Sequence, residues 1–477
     1  MISLRDYQND CIGGIRQAYR AGRRSPLLVS PTGSGKTVMF AYISQGTSAK
    51  GNRVLILVHR SELVDQTCRT LRDFGVPHGV IAAGRTPDRS HAVQVASVQT
   101  VVRRLDFFRP DLIIIDEAHH GTAGSWRKVI DANPQARLLG VTATPERLDG
   151  KGLKDVFDEL IRGPEVGWLI DQGHLCKPRY YAPPRVADLS GLHIQAGDYN
   201  RKELAAAMDK ATVTGDAVEH YRRVCPRAPA VAFTSSIKHA EHVAEQFTAA
   251  GFPWVVMDGN MDKDYRREVV RMLGDGRICG VSSCEIINEG FDLPVVTAAI
   301  LLRPTMSLGL HLQQIGRVLR PAPGKQNAII LDHVGNCGSM QRGGWVPKHG
   351  FAEDEREWSL VGRKKKKKSK QDEPPVNVRQ CPDCFACHPP LPRCPECGHT
   401  YEIKTREIEQ VEGSLVEIDA EAMRREKKIE QRQAQTLDEL IELGRARNYK
   451  NPAVWAKHVF NARQGKPRHH ASAVHAG

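Results

Sequence analysis

The segment Ser30-Pro31-Thr32-Gly33-Ser34-Gly35-Lys36-Thr37 sets two glycines, a lysine and a hydroxyl directly after the apolar run Leu27–Val29. Glycine backbone there can aim successive N–H groups at a phosphate, and a helix beginning at the lysine adds its positive end. Lys36 can then reach a terminal phosphate, and the Thr37 hydroxyl can ligate Mg2+. Ser30 stands where the full pattern has a further glycine. A second group follows in Leu112-Ile-Ile-Ile-Asp116-Glu117-Ala-His119-His120, where an apolar strand delivers two adjacent carboxylates to its end. Asp116 suits a magnesium ion and Glu117 suits a water molecule that needs polarising. Cleaving a phosphoanhydride requires both tasks.

These groups must be carried by elements that hold them at one edge. Short β-branched runs alternate with helix-compatible polar stretches, at Leu27–Val29, Val54–Val58, Val93–Ala96, Leu112–Ile115 and Leu138–Val141. A second series follows at Ala230–Phe233, Trp254–Met257, Ile278–Val281, Thr297–Leu302 and Ala328–Leu331. Near-continuous apolar strands separated by helices predict parallel sheets covered on both faces. Two series predict two α/β lobes, as does a length of 477 residues, too great for one core.

The net charge of +13 favours a polyanionic partner. No run is long and apolar enough to suggest a membrane span, and Met1–Asp10 lacks a signal-peptide core, so a cytoplasmic protein is expected. Of twelve cysteines, seven are scattered and five crowd into residues 381–397. Cys381-Pro-Asp-Cys384 and Cys394-Pro-Glu-Cys397 are two CxxC knuckles, a spacing at which four thiolates can close a structural zinc site. Cys387 and His388 are spare potential ligands. The lysine run Lys364–Lys368 reads as an exposed linker or as a phosphate-backbone grip. In the charged tail, Asn451 before Pro452 suits a helix start, and Trp455, Val459 and Phe460 on neighbouring turns read as a packing face, with a base-stacking platform as the alternative.

Together with further motifs in order, residues 1–345 resemble the superfamily 2 helicases, specifically the DEAH-type branch with XPB-like and RadD-like DNA-repair proteins. Leu4-Arg5-Asp-Tyr7-Gln8 is similar to the adenine-recognition motif, and a glutamine amide can pair with adenine N6 and N7 together. Residues Leu57–Leu63, with Arg60, and Ser97-Val-Gln99-Thr100 resemble motifs that touch the nucleic-acid backbone. Thr142-Ala143-Thr144-Pro145 resembles the motif coupling hydrolysis to lobe movement. Phe233-Thr234-Ser235-Ser236 looks like a phosphate-backbone contact. Asn288-Glu289-Gly290-Phe-Asp292 looks like a motif facing both ATP and nucleic acid. Gln313-Gln314-Ile-Gly316-Arg317-Val-Leu-Arg320 resembles the arginine motif, with Gln314 where arginine is usual. Arg317 and Arg320 can both reach a γ-phosphate when the lobes close.

The resemblance implies two tandem RecA-like lobes (1–165 and 213–345) joined by 166–212. A basic linker (346–378), a zinc ribbon (379–402) and a charged helical tail (403–477) would follow. It implies ATP and Mg2+ between the lobes, bound by Arg5, Gln8, Thr32–Thr37, Gly290 and Asp292. Single-stranded or branched DNA would be the partner, with a repair or replication protein on the ribbon or tail. The expected activity is a DNA helicase or 3′–5′ translocase serving repair, recombination or replication. An RNA helicase, an ATP-gated loading factor and a restriction-system motor subunit are the alternatives.

Overall fold

The computed structural model describes residues 3–120, 124–147, 152–182, 192–195, 198–208, 211–259, 261–284, 294–341 and 344–361. Beyond these it describes 379–380, 386–388, 393, 398, 400, 416–418, 420–447, 449 and 451–463. In the first lobe, α1 (Asp6–Arg20) leads to β1 (Pro26–Val29), α2 (Lys36–Ser48) and β2 (Val54–Val58). Strands β3 (His78–Ile81), β4 (Val93–Ser97), β5 (Leu112–Asp116), β6 (Arg137–Thr142) and β7 (Glu159–Arg162) follow. All pair in parallel, in the order β3-β4-β2-β5-β6-β1-β7.

Alternate residues of each strand enter separate cores. Leu28, Ile56 and Ile114 pack with Ile12, Met39 and Val64 on one face, while Leu27, Leu55, Leu57 and Ile113 pack with Trp126 and Phe157 on the other. Burial on both faces is why these strands read as unbroken apolar runs rather than alternating ones. Gly140 belongs to this packing, because a Cβ there would lie 2.4 Å from the Phe157 ring.

The second sheet starts inside the expected inter-lobe connection, with β8 (Lys177–Ala182). A two-strand hairpin follows, β9 (Ile194–Gln195) with β10 (Asp198–Tyr199). The main strands are β11 (Ala230–Phe233), β12 (Trp254–Met257), β13 (Gly280–Ser283), β14 (Ala298–Leu301) and β15 (Asn327–Asp332). They run parallel in the order β12-β13-β11-β14-β15-β8. A hairpin of β16 (Gly338–Gln341) and β17 (Gly344–Pro347) leaves this sheet.

The expectation of a purely parallel second sheet needs correction at its β8 edge. Short strands β18 (Arg379–Gln380), β19 (Ala386–His388) and β20 (Val416–Ile418) extend the sheet there, β20 running antiparallel to β8. The stretches flanking the cysteine knuckles are therefore appended to the second lobe. Cys381, Cys384, Cys394 and Cys397 themselves lie outside the described residues. Among the described residues, no His/Cys/Asp/Glu group is arranged to hold a metal.

Residues 346–361, expected to open a linker, are also tied down. Phe351 and Ala352 are buried in the second lobe, and Tyr180 Oη donates to Glu353 at 2.6 Å. The chain then returns to the first lobe, where Leu153 and Lys154 N–H groups donate to the Leu360 carbonyl at 2.8 and 3.0 Å. Trp358 and Leu360 pack on the first lobe's core. Apolar side chains account for the difference, since this stretch has a core to join; the lysine run Lys364–Lys368 lies outside the described residues.

Three helices follow, at Ala420–Gln433, Leu437–Ala446 and Pro452–Arg463. The second is capped by Thr436, which accepts from Glu439 N–H while the Glu439 carboxylate accepts from Thr436 N–H. Tyr449 meets the Trp455 ring edge-on at 4.8 Å. A Cβ on Gly444 would touch that indole at 3.0 Å, so the helix pair packs closely around Trp455. Among the described residues, no helix is long and apolar enough to cross a membrane.

Candidate active site

The spatial order of the first sheet brings separate motifs to one edge. Reading across the C-terminal strand ends, Ser97 ends β4, His59 follows β2, Asp116 ends β5, Thr142 ends β6 and Ser30 follows β1. In open parallel sheets this is the edge where ligands bind.

Between β1 and α2 the loop turns back at Gly33 (φ +88°) and Gly35 (φ +81°), conformations that a side chain resists. The loop braces itself: Ser30 Oγ donates to Ser34 Oγ at 2.7 Å, and Ser34 Oγ donates to the Pro31 carbonyl at 2.7 Å. No acidic residue occupies the first turn of α2 and no side chain caps it, so this helix end suits an anion. Lys36 Nζ donates to the Ser30 and Pro31 carbonyls, both at 3.1 Å. Burial pushes its ammonium below the usual lysine range, against the pull of Glu117 and Asp116. A phosphate would replace neutral carbonyl partners with a charged one, a stronger hydrogen bond.

Burial, with the Glu117 carboxylate next to it, pushes the Asp116 carboxyl up to about 7, while Lys36 pulls the other way. A site that disfavours two carboxylate charges welcomes a cation, so the donors fit a divalent ion. Thr37 and Asp116 would hold Mg2+, which supplies positive charge beside the phosphates. Glu117 adopts φ +49°, unusual for a residue with a side chain. Its backbone N–H donates to Asp116 Oδ1 at 3.0 Å. His119 Nδ1 stands 3.4 Å from Glu117 Oε2 and 3.2 Å from Thr142 Oγ1. Thr142 Oγ1 in turn donates to the Thr144 carbonyl at 2.8 Å.

The second lobe supplies the opposite wall. Arg317 lies on the Leu308–Val318 helix, with Arg320 just beyond it. A Cβ on Gly316 would stand 2.6 Å from Thr32 Cβ, and one on Gly33 would stand 3.7 Å from Arg320 Cγ. Both arginines are close enough to bear on the Lys36 charge. Lys325 ties the end of this segment down, with Nζ donating to the Arg320 carbonyl at 2.8 Å and the Val296 carbonyl at 2.6 Å. Gln314, where the motif usually has arginine, is fully buried in this helix.

At the other end of the loop, the Gln8 amide joins α1 to the phosphate loop. Its Oε1 accepts from Arg5 N–H at 3.0 Å and its Nε2 donates to the Ser34 carbonyl at 3.2 Å. Each end of the amide has capacity for one further bond, which an adenine edge can use. Tyr7 Oη also donates to Ser34, at 2.9 Å.

Comparison with known proteins agrees with this arrangement. Residues 1–147 match the family model for the type III restriction enzyme res subunit, and residues 217–322 match the helicase conserved C-terminal domain. A 51.5 kDa protein of a Lactococcus phage is 35% identical over 405 residues, 84% of this chain and 83% of its own length. The chain belongs to the superfamily 2 helicases. It is thus an ATP-hydrolysing enzyme of the helicase and translocase class. IRC3 of Saccharomyces cerevisiae, provisionally named an ATP-dependent helicase, is 30% identical over 70% of this chain, which spans about half of that protein (51%). The ATP-dependent restriction-modification enzyme LlaBIII, solved bound to DNA, shares the fold with a TM-score of 0.53 and 20% identity. That match covers 69% of this chain and 28% of LlaBIII.

The helicase's expected nucleic-acid contacts separate into two groups. Arg60 and Ser97 stand at the ends of neighbouring strands, since Val58 pairs with Ser97 across β2 and β4, and Thr100 is one turn further on. Ser97 Oγ donates to Gln99 Oε1 at 2.7 Å, and Gln99 Nε2 donates to the His59 carbonyl at 2.9 Å. In the second lobe, the Thr234 side chain is buried, and its hydroxyl donates to the Ser236 carbonyl at 3.2 Å. Ser235 is half-buried, its Oγ 3.0 Å from His239 Nδ1. Gly290 and Asp292 lie outside the described residues.

Some residues of the site were not assigned a role from the sequence. His119 and Lys325 are in this class; the histidine beside two acids was the available signal for the first. Trp168 and His174 also approach Tyr7, with ring centroids 5.7 and 5.4 Å away. No spacing in the sequence links residue 7 to residue 168, so that cluster had no signal.

Proposed function

We propose that this helicase couples ATP hydrolysis to movement along, or unwinding of, DNA in repair, recombination or replication. The observation that carries the reading is the meeting of the phosphate loop with the arginine helix across the lobe boundary. Nucleotide held there joins both lobes, so its hydrolysis alters the force between them. Residues on strand ends of the same sheet would hold the nucleic-acid backbone. In this reading Lys36, Arg317 and Arg320 stabilise the transferring phosphoryl, and Glu117 orients the attacking water. Arg5, Gln8 and Thr32–Thr37 bind the nucleotide, with Gly290 and Asp292 assigned to it on their motif alone. Arg60, Ser97, Thr100 and Ser235 meet the backbone.

DNA is favoured over RNA by the restriction-enzyme family model on the first lobe and by the DNA-bound LlaBIII fold relative. The net charge of +13 supports a polyanion without choosing between them. The knuckles Cys381, Cys384, Cys394 and Cys397 hold a structural zinc in this reading, on the support of their spacing, and offer a surface to DNA or a partner protein.

Steady-state ATPase without nucleic acid, and with single-stranded, duplex and forked DNA and matched RNA, tests the reading, with Lys36→Ala as control. Stimulation by DNA above RNA supports it. Greater stimulation by RNA makes the enzyme an RNA helicase, and no stimulation makes it an ATP-gated clamp.

A further inference from the structure

Three imidazoles run in a row between the strand ends expected to meet nucleic acid and the carboxylate expected to activate water. His59 follows β2 and its ring centroid lies 4.7 Å from that of His120. His120 lies 4.2 Å from His119, the rings inclined at 42°. His119 Nδ1 reaches Glu117 Oε2 at 3.4 Å. At the outer end, the Gln99 amide holds the His59 carbonyl, and Ser97 holds the Gln99 amide. The row is continuous from Ser97 to Glu117, through contacts at hydrogen-bond or ring-packing distance.

Packed rings transmit displacement because close-packed side chains yield little without a neighbour moving. The inner end is sensitive to such a push. Glu117 occupies an uncommon backbone conformation, which persists only while its surroundings impose it. We propose that the His59–His120–His119 row carries nucleic-acid engagement at the ends of β2 and β4 to the Glu117 carboxylate, making His120 a positioning residue for stimulated hydrolysis. This rests on the reading of the enzyme as a nucleic-acid-stimulated ATPase. The His120 backbone N–H donates to the Glu117 carbonyl at 3.0 Å, and its ring acts through His119, holding it at the distance from which the Glu117 carboxylate is oriented.

The test measures basal ATPase, maximal stimulated kcat and nucleic-acid affinity (by fluorescence anisotropy) for wild type, His120→Ala and His120→Phe, using the full chain. The stimulating nucleic acid is whichever works best on wild type. His120→Ala should keep basal turnover within about threefold and affinity within about threefold, while stimulation falls about tenfold or more. His120→Phe retains a ring and should recover most of the stimulation. Its thermal midpoint, beside that of His120→Ala, separates loss of coupling from loss of fold. Full stimulation in His120→Ala overturns the proposal, as does an equal fall in basal and stimulated rates. A phenylalanine variant as uncoupled as the alanine one, with wild-type stability, overturns transmission by ring packing. A wild-type enzyme that no nucleic acid stimulates overturns the functional reading itself, and the coupling with it.

Discussion

Thr32 and Gly316 meet across the lobe boundary with no room for a side chain on the second residue: a Cβ on Gly316 would lie 2.6 Å from Thr32 Cβ. The glycine lets the arginine helix approach the phosphate loop closely. Gly316→Val should therefore hold Arg317 and Arg320 away from the nucleotide and lower kcat about tenfold or more, about 1.4 kcal/mol on the barrier. Adding Thr32→Gly, which removes the Cβ that is met, to Gly316→Ala should recover part of the smaller loss caused by Gly316→Ala alone, a coupling that a double-mutant cycle measures. Wild-type turnover in Gly316→Val would show that closure does not use this contact.

Lys36→Ala and Glu117→Gln should each slow hydrolysis by about 10²–10³-fold, the usual effect of removing one key polar group from an active site. They should part company in binding. Glu117→Gln keeps the phosphate loop and should retain ATP with near wild-type affinity, whereas Lys36→Ala removes a phosphate partner. Equilibrium binding of a fluorescent ATP analogue, beside single-turnover hydrolysis, checks both.

The second lobe should be acid-sensitive. Burial, and Arg223 nearby, push the His220 imidazole down to about 4, and burial takes His333 well below the ordinary range. Their rings pack at 5.2 Å. A histidine depressed in the folded state binds fewer protons there than when unfolded, near 6.5. Its contribution to stability is thus complete above about pH 6.5 and is lost as pH falls toward 4. The thermal midpoint of the nucleotide-free protein should fall across that window, and His220→Phe should flatten the slope. An unchanged slope in the variant would remove His220 from the account.

The purified protein should carry one zinc per chain, measured by elemental analysis, and Cys381→Ser should lose it. Zinc removal, with Mg2+ restored afterwards, should leave basal ATPase largely intact, since the phosphate loop and the arginine helix belong to other segments. A zinc-free purified chain would count against this assignment, and an ATPase lost on zinc removal despite restored Mg2+ would show that the module supports the motor.

The strands that carry the motifs were the most legible part of the fold. Val54–Val58, Ala230–Phe233 and Trp254–Met257 occur at the expected bounds, because each is apolar on both faces. His78–Ile81, Glu159–Arg162 and Lys177–Ala182 escaped detection. Two are edge strands of the first sheet, with polar residues that blur the pattern, and the third carries lysine, proline and arginine at its start. The residues on the loops after β1 and β5 could be read from type and spacing alone. What could not be read was their bracing, such as Gln8 on Ser34 or Lys325 on Arg320. Those partners are ordinary residues whose use depends on tertiary contacts.

Among the described residues two segments tie the lobes together, outward before β8 and back through residues 353–360, before β18–β20 rejoin the second sheet. A body fastened at one point can swivel in three directions. Fastened at two, it turns only about the line between them. The return passage thus gives the pair of lobes two pins, and with them an axis. An enzyme built this way has fewer directions in which its lobes can part than one joined by a single strand of chain.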